Sequence, residues 1–418
     1  MVQISIEKIL SELEELEFLE AVKPHWEESL ASFPDDVPDF LQPEQVRTNL
    51  RWCGFEAEFE PVFIAAARKI AASRSLQYLA WHYYRMVYDY EADPLKYVPL
   101  QKMMGEDWPI FYLLIALAMA PKIKTYHQGL GIPEEVTKGC CLKVRDECED
   151  YRRGHDGQLG IFSGELGWLA NYVNGEPFYR LGRFEYWRKP FPRHCKVYRS
   201  RKDGMIIALA GPAWKINSSG WIEGIDAETE DTSLWQTTLK QIGTSIHGFP
   251  INPQGFVERN PVILSERDWE CVLEKGVPVL EMHIPAGERV TLEICAESFR
   301  EAKQFFQHYF PTPAVRAIIS SSWMFSPILK QLLPADSNLV RFMRELFLCP
   351  TNSHSRSGPW FIFLQEPFNL ATAPRKTSLQ RAILDHLQAG NLWRDGSMFF
   401  MLDDLDHFGS QWYQKSTI

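Results

Sequence analysis

The sequence predicts an α+β protein, with a helical N-terminal domain at residues 1–160 docked on a mixed β-sheet with flanking helices at residues 161–418. Three observations lead there. Up to about residue 160, apolar side chains recur at helical spacing. After Ile161 the pattern changes to short apolar runs separated by Gly- and Pro-rich turns. From Val277 onward, strand-like and helix-like segments alternate, as they do where helices cover the faces of a sheet.

Ile6, Ile9, Leu10, Leu13, Leu16 and Leu19 form the first amphipathic stripe. Pro43 opens a helix at PEQVRTNLRWCGF, and two more follow through FEPVFIAAARKIAASRSLQYLAWHYYRMVY. WPIFYLLIALAMAP is apolar on every side, which places it at the centre of a bundle. Pro133 heads a further helix with acids directly behind it. ELGWLANYV is a short helix, while PFYRLGRFEYW and MIIALAG are strands. TSLWQTTLKQIGTSI, residues 232–246, returns to helical spacing. VPVLEMHIP, ESFREAKQFFQHYF, VRAIISSSW, ILKQLLP, SNLVRFMRELF, WFIFL, SLQRAILDHLQAG and MFFML complete the alternation. No fixed-period repeat and no low-complexity linker interrupts the chain, so the two parts are expected to pack closely.

With 418 residues, 45% of them hydrophobic and 13% aromatic, the chain can build full-sized cores. A net charge of -10 and a pI near 5.6 argue against a general nucleic-acid or anionic-membrane binder. The start, Met-Val-Gln-Ile-Ser-Ile-Glu-Lys, has no basic n-region, and the longest apolar run, Ile110 to Ala120, is too short to span a bilayer. A cytoplasmic location is expected. The eight cysteines show no C-x-x-C pair and no zinc spacing, so most are expected to be reduced and buried. There is no G-x-S-x-G, H-E-x-x-H, Walker A loop or G-x-G-x-x-G.

Chemistry concentrates in VLEMHIPAGERVTLE. At period two, Val279, Glu281 and His283 share one face, so two titratable groups stand side by side at a strand end. A Pro-Ala-Gly turn and a long amphipathic helix follow, a setting for a phosphate or carboxylate at the helix start. An ordinary hydrogen-bonded strand-end histidine is the plainer reading. Arg183 and Glu185 share a strand face, either salt-bridged and exposed or facing a substrate. Ser320 to Trp323 ends another strand in small polar groups, and Asn338 lies at a helix start beside Ser337, where capping explains either residue. Asp403, Asp404, Asp406 and His407 could ligate a divalent cation, but a solvated terminal segment is favoured.

The succession WPIFYLLIALAMAP, HQGLGIPEEV, GELGWLANYVNGEPFYRLGRFEYW, VPVLEMHIPAGERVTLEICAESFREAKQFF, SSSWMFSPILKQLLPADSNLVRF and TSLQRAILDHLQAG resembles bacterial acyltransferases with a helical N-terminal domain and a GNAT-like C-terminal domain. The resemblance covers nearly the whole chain. It implies acyl transfer from a thioester, acyl-CoA or the acyl-phosphopantetheine of an acyl carrier protein, to an amine. In such folds the fourth and fifth strands splay around the pantetheine arm; here they are VLEMHIP and VRAIISSSW. The implied roles are Glu281 and His283 in deprotonating the amine and Ser322 as hydroxyl donor or acid. Ile284, Ser321, Trp323 and Asn338 would line the donor arm, Gly287 and Arg289 would meet the phosphates, and Arg183 and Glu185 would face the substrate. No metal, nucleic acid or membrane insertion is implied. The acceptor the family implies is a Lys or ornithine side chain of a small ribosomal peptide, or a small-molecule amine.

Two departures stand out. The usual phosphate loop, Gln or Arg followed by x-x-G-x-G or A, is absent, and Ser321 replaces a histidine common in relatives before the Ser-Trp pair. They keep open a non-catalytic acyl-CoA or peptide binding protein on the same fold; a thioester hydrolase is the third reading.

Overall fold

A computed structural model describes residues 5–92, 95–223, 233–353, 357–365 and 368–415. The chain forms two compact units, Met1–Arg180 with Pro285–Gly287, and Leu181–Ile284 with Glu288–Ile418.

The first unit is helical. Its centre is the helix Ile110–Leu117, in which every residue is buried, packed against helices Pro43–Trp52, Glu60–Ala71, Arg74–Tyr88 and Glu134–Gly154. An all-round apolar segment reaches its minimum free energy where no side meets water, which is why it lies there. The Tyr88 hydroxyl donates toward the Ile115 and Ala116 carbonyls, at 3.1 and 3.2 Å, serving acceptors left over at the helix end. The N-terminal stripe is shorter than its spacing suggests. The helix Ile6–Leu13 stops at Glu14, whose φ of 65° turns the chain left-handed, and Leu16 is exposed. No single helix among the described residues is long and apolar enough to cross a membrane.

The second unit is built on a six-stranded sheet. Its strands are β1 (Tyr179–Leu181, spanning the division between the units), β2 (Phe184–Pro190), β3 (Pro278–His283), β4 (Ala317–Ser322), β5 (Phe347–Cys349) and β6 (Gly396–Met401), in the order β1-β2-β3-β4-β6-β5. β3 and β4 are parallel; β2 against β3, and β6 against both β4 and β5, are antiparallel. The helix Leu292–Tyr309 packs on one face through Phe299, 6.0 Å from Phe184 and 5.3 Å from Phe400 between ring centres. The Tyr186 and Ser298 hydroxyls meet on that face at 2.8 Å.

Residues 233–246 are not helical. Thr232 lies outside the described residues; beyond it, Leu239–Ile242 and Ser245–Gly248 form a hairpin around Gly243, at φ 60°. Several β-branched residues and a glycine where a two-residue turn needs positive φ outweigh the apolar spacing. This hairpin and Val262–Ser265 form a three-stranded sheet, and a five-stranded sheet includes Lys196–Ser200, Ile206–Leu209 and Pro250–Asn252. Tyr198, Ile207, Leu209, Ile246 and Leu264 fill one core between them. WFIFL belongs to the helix Ser357–Phe363, and the strand of that region is β5, at the end of SNLVRFMRELF.

All eight cysteines are free thiols, and seven are buried, Cys271 being exposed.

Candidate active site

The sheet opens at its middle. β2 and β3 stay in register from Pro278↔Pro190 to His283↔Glu185, and β4 and β6 from Ala317↔Met401 to Ser322↔Gly396. Between β3 and β4 only Leu280↔Ile318 and Glu281↔Ile319 match. Beyond Glu281 the two parallel strands part while each keeps its outer neighbour. The gap therefore lies at the carboxyl ends of the parallel strands, where open α/β sheets receive ligands.

Register also sorts the side chains. Residues directly opposite in a ladder share a face, so Glu281 lies with Trp187 and Ile319, and His283 with Glu185. Leu280, Met282 and Tyr186 belong to the face covered by the helix Leu292–Tyr309. The His283 Nε2 is 4.0 Å from the Glu281 Oε2, and the two side chains are 33% and 22% exposed. Lys189 pairs with the Glu281 carboxylate and stands 4.4 Å over the Trp187 ring. That cation balances the charge that Glu281 brings to a half-buried place. Glu185, beside His283, is 1% exposed, and Arg183 is buried with its Nε donating to the Glu288 carbonyl at 2.9 Å. Both side chains are thus buried, not exposed on a strand face.

Of the three serines on β4, Ser321 shares the Glu281 face and Ser322 does not. The Ser322 Oγ accepts from the Met324 N–H at 3.2 Å and caps the short turn Trp323–Phe325. The Ser321 Oγ accepts from Arg193 Nη2 at 2.7 Å, and Arg193 also donates to the Ser397 Oγ, opposite Ser321 on β6. Arg193 thereby brings a fixed cation to the end of β4. Gly396 closes the other side: a Cβ there would lie 1.8 Å from the Phe325 carbonyl oxygen, so only glycine lets the turn carrying Trp323 cross β6.

After β3 come Ile284, half-buried, then Gly287 at φ 126° and Arg289, both exposed. The helix start expected to hold phosphate is already served from within. The Thr291 Oγ1 accepts from the Ile294 N–H at 3.5 Å. The Glu293 carboxyl is held below its usual range by its own backbone N–H and by the Thr291 hydroxyl. An acid thus stands at the positive end of the helix. Asn338 opens the helix Asn338–Glu345, but the cap is Ser337, whose Oγ accepts from the Val340 N–H at 3.4 Å.

In the acidic tail Asp403, Asp406 and His407 are exposed, as a solvated segment requires, but Asp404 is not. Asp404 is buried, paired with Arg199 at 2.7 Å and accepting from the Tyr413 hydroxyl at 2.9 Å, and His407 stacks on Trp412 at 3.9 Å. Among the described residues no group of three or more His, Cys, Asp or Glu is placed to hold a metal ion.

A mixed sheet opened between two parallel strands, with a carboxylate and an imidazole at the opening, defines a GNAT-like acyltransferase domain. Residues 178–400, more than half of the chain, match the GNAT-like C-terminal domain, and residues 44–175 match the N-acyltransferase N-terminal domain. The chain belongs to the acyltransferase family that joins these two domains. No curated protein matches it. Among solved structures it is similar to an acyltransferase in complex with decanoyl-CoA and teicoplanin, at 21% identity and TM-score 0.60, covering 96% of this chain and 100% of that one. An acyltransferase in complex with CoA and 10C-teicoplanin gives the same values. An acyltransferase mutant in complex with octanoyl-CoA is similar at 21% identity and TM-score 0.58, covering 94% and 98%.

Proposed function

We propose that this acyltransferase moves a fatty acyl group from a CoA thioester to an amine, the Lys or ornithine side chain of a small ribosomal peptide. One observation carries the reading: the β3–β4 ladder ends at Glu281 and Ile319 while both outer ladders continue, which leaves a slot for an extended pantetheine arm. The thioester carbonyl then lies at His283. An alkylammonium of pKa about 10 must lose a proton before it attacks. His283, with Glu281 beside it, accepts that proton directly or through a water. As the C–N bond forms, charge gathers on the carbonyl oxygen, and Arg193 with the Ser321 hydroxyl supplies donors at the end of β4. The C–S bond breaks, the nitrogen's second proton passes to the departing thiolate, and the proton first taken by His283 is released to solvent. The neighbours' complexes with decanoyl-CoA and octanoyl-CoA support a medium-chain donor here. The same slot accepts the acyl-phosphopantetheine of a carrier protein. A reaction that draws on acyl-CoA places the enzyme in the cytoplasm.

The test is thiol release from decanoyl-CoA, with and without Lys- or ornithine-containing peptides, together with mass spectrometry of the products. Release that depends on the amine and matches amide formation supports the reading. Release without amine assigns a thioester hydrolase. Donor binding without release assigns a binding protein.

A further inference from the structure

Two carboxylates stand beside His283. Glu281 shares its strand and face, with Oε2 4.0 Å from the His283 Nε2, and Glu185 lies opposite it on β2, 1% exposed. An anion within about 4–6 Å favours the charged form of an imidazole. A general base has to be uncharged when the amine arrives, so two acids alone would work against the role of His283.

The compensating charge comes from β2. Antiparallel register places Lys189 opposite Val279 and Trp187 opposite Glu281, so Lys189, Trp187, Glu281 and His283 share one face. The Lys189 ammonium reaches diagonally to the Glu281 carboxylate and lies 4.4 Å over the Trp187 ring, two contacts that fix a long side chain in one place. The two side chains are 28% and 22% exposed, so solvent screens the pair only in part. Lys189 bonds Oε2, the same oxygen that His283 approaches, and at 4.0 Å the His283 Nε2 is outside hydrogen-bond range of it. The other charges around His283 are engaged elsewhere or lie further along the chain. Arg183 is buried and donates to the Glu288 carbonyl, Glu288 and Arg289 are exposed after β3, and across the gap Arg193 holds the Ser321 hydroxyl. The helix Leu292–Tyr309 covers the opposite face of the sheet.

We propose that Lys189 is a positioning residue for acyl transfer: it neutralises Glu281 and occupies the carboxylate oxygen that faces the imidazole, which keeps His283 uncharged and ready to take the amine's proton. This rests on the reading of His283 as the base. The first test does not depend on turnover: it is NMR titration of the His283 ring in the donor-free protein, with its signals assigned by their loss in His283→Ala. Lys189→Met should move the titration midpoint up by about half a unit to one unit, the size expected when a half-exposed neighbouring cation is removed. Lys189→Arg, which keeps the charge, should titrate as wild type does, and Glu281→Gln should move the midpoint down. With decanoyl-CoA and Ac-Lys-NH2 the acid limb of kcat/KM should follow the ring. Lys189→Met then loses about three- to tenfold on the acid side, and the deficit closes at high pH, where the ring is neutral in both proteins. A midpoint that Lys189→Met and Glu281→Gln leave in place, with a Lys189→Met deficit of equal size at every pH, overturns the proposal and makes Lys189 a structural residue. A midpoint that moves as expected, in a protein whose thiol release does not follow it or that releases no thiol with any amine, would uphold the charge coupling and overturn His283 as the base instead.

Discussion

Glu281 and His283 sit where the paired part of the sheet ends, and their geometry sets what each substitution should do. If His283 takes the amine's proton as proposed, His283→Ala should lower turnover about a hundredfold or more, the usual range for losing a general base, with donor affinity little changed. The deficit should shrink at high pH, where more of the acceptor amine is already neutral; a deficit independent of pH would argue against proton acceptance. Ser321→His is the contrasting variant. It takes the acceptor oxygen away from Arg193 and puts a larger ring beside the gap, so it should lower turnover. Higher turnover would mean that the base belongs on β4. At this scale the sequence was half legible. Period two alone placed Glu281 and His283 together. Whether Ser321 or Ser322 faces them depends on register with neighbouring strands, and the partners of Arg193, Ser321 and Ser397, lie 128 and 204 residues away.

Helix Arg74–Tyr88 carries a histidine that makes the first unit acid-sensitive. His82 is fully buried, 2.7 Å from the Val22 carbonyl through Nε2 and 2.8 Å from the Ser29 hydroxyl through Nδ1, a pattern that a neutral ring with its proton on Nε2 satisfies. Burial pulls its pKa from 6.5 down to about 4, and burial does the same to His127, also to about 4. Between those values the unfolded chain binds protons that the fold excludes, so stability is complete above pH 6.5 and declines as pH falls toward 4, by on the order of 3 kcal/mol for each histidine. The midpoint of thermal unfolding should drop across that window, and His82→Gln should flatten the slope; a midpoint level from pH 7 to 4 would contradict the buried neutral rings. Gly396→Ala should be severely destabilising, because backbone occupies the space that its methyl group needs. Elements with one dominant signal, such as Ile110–Leu117, were readable from the sequence. Residues 232–246 were not, because their apolar spacing suits a helix while the turn at Gly243 decides for a hairpin. Asp404 looked solvated because Arg199, which buries it, is far away in sequence.

For the molecule as a whole, a ligand that binds only the folded protein stabilises it according to its affinity. Each methylene buried adds about 0.8 kcal/mol, so thermal stabilisation by acyl-CoA thioesters should rise steadily from acetyl to decanoyl. Stabilisation by acetyl-CoA alone would contradict a fatty acyl donor. The mixed sheet was legible because its strands and helices alternate, whereas a cavity at Glu258 draws on segments around residues 206, 250, 260, 347 and 414 that only the fold brings together.

The slot between β3 and β4 is the centre of the account, and the crystal structure with S-decyl-CoA, a thioether that cannot react, tests it most directly. The pantetheine arm should run between β3 and β4, with the sulfur within about 4 Å of the His283 ring or one water away from it. An arm bound elsewhere, with the gap beyond Glu281 and Ile319 empty, would contradict it.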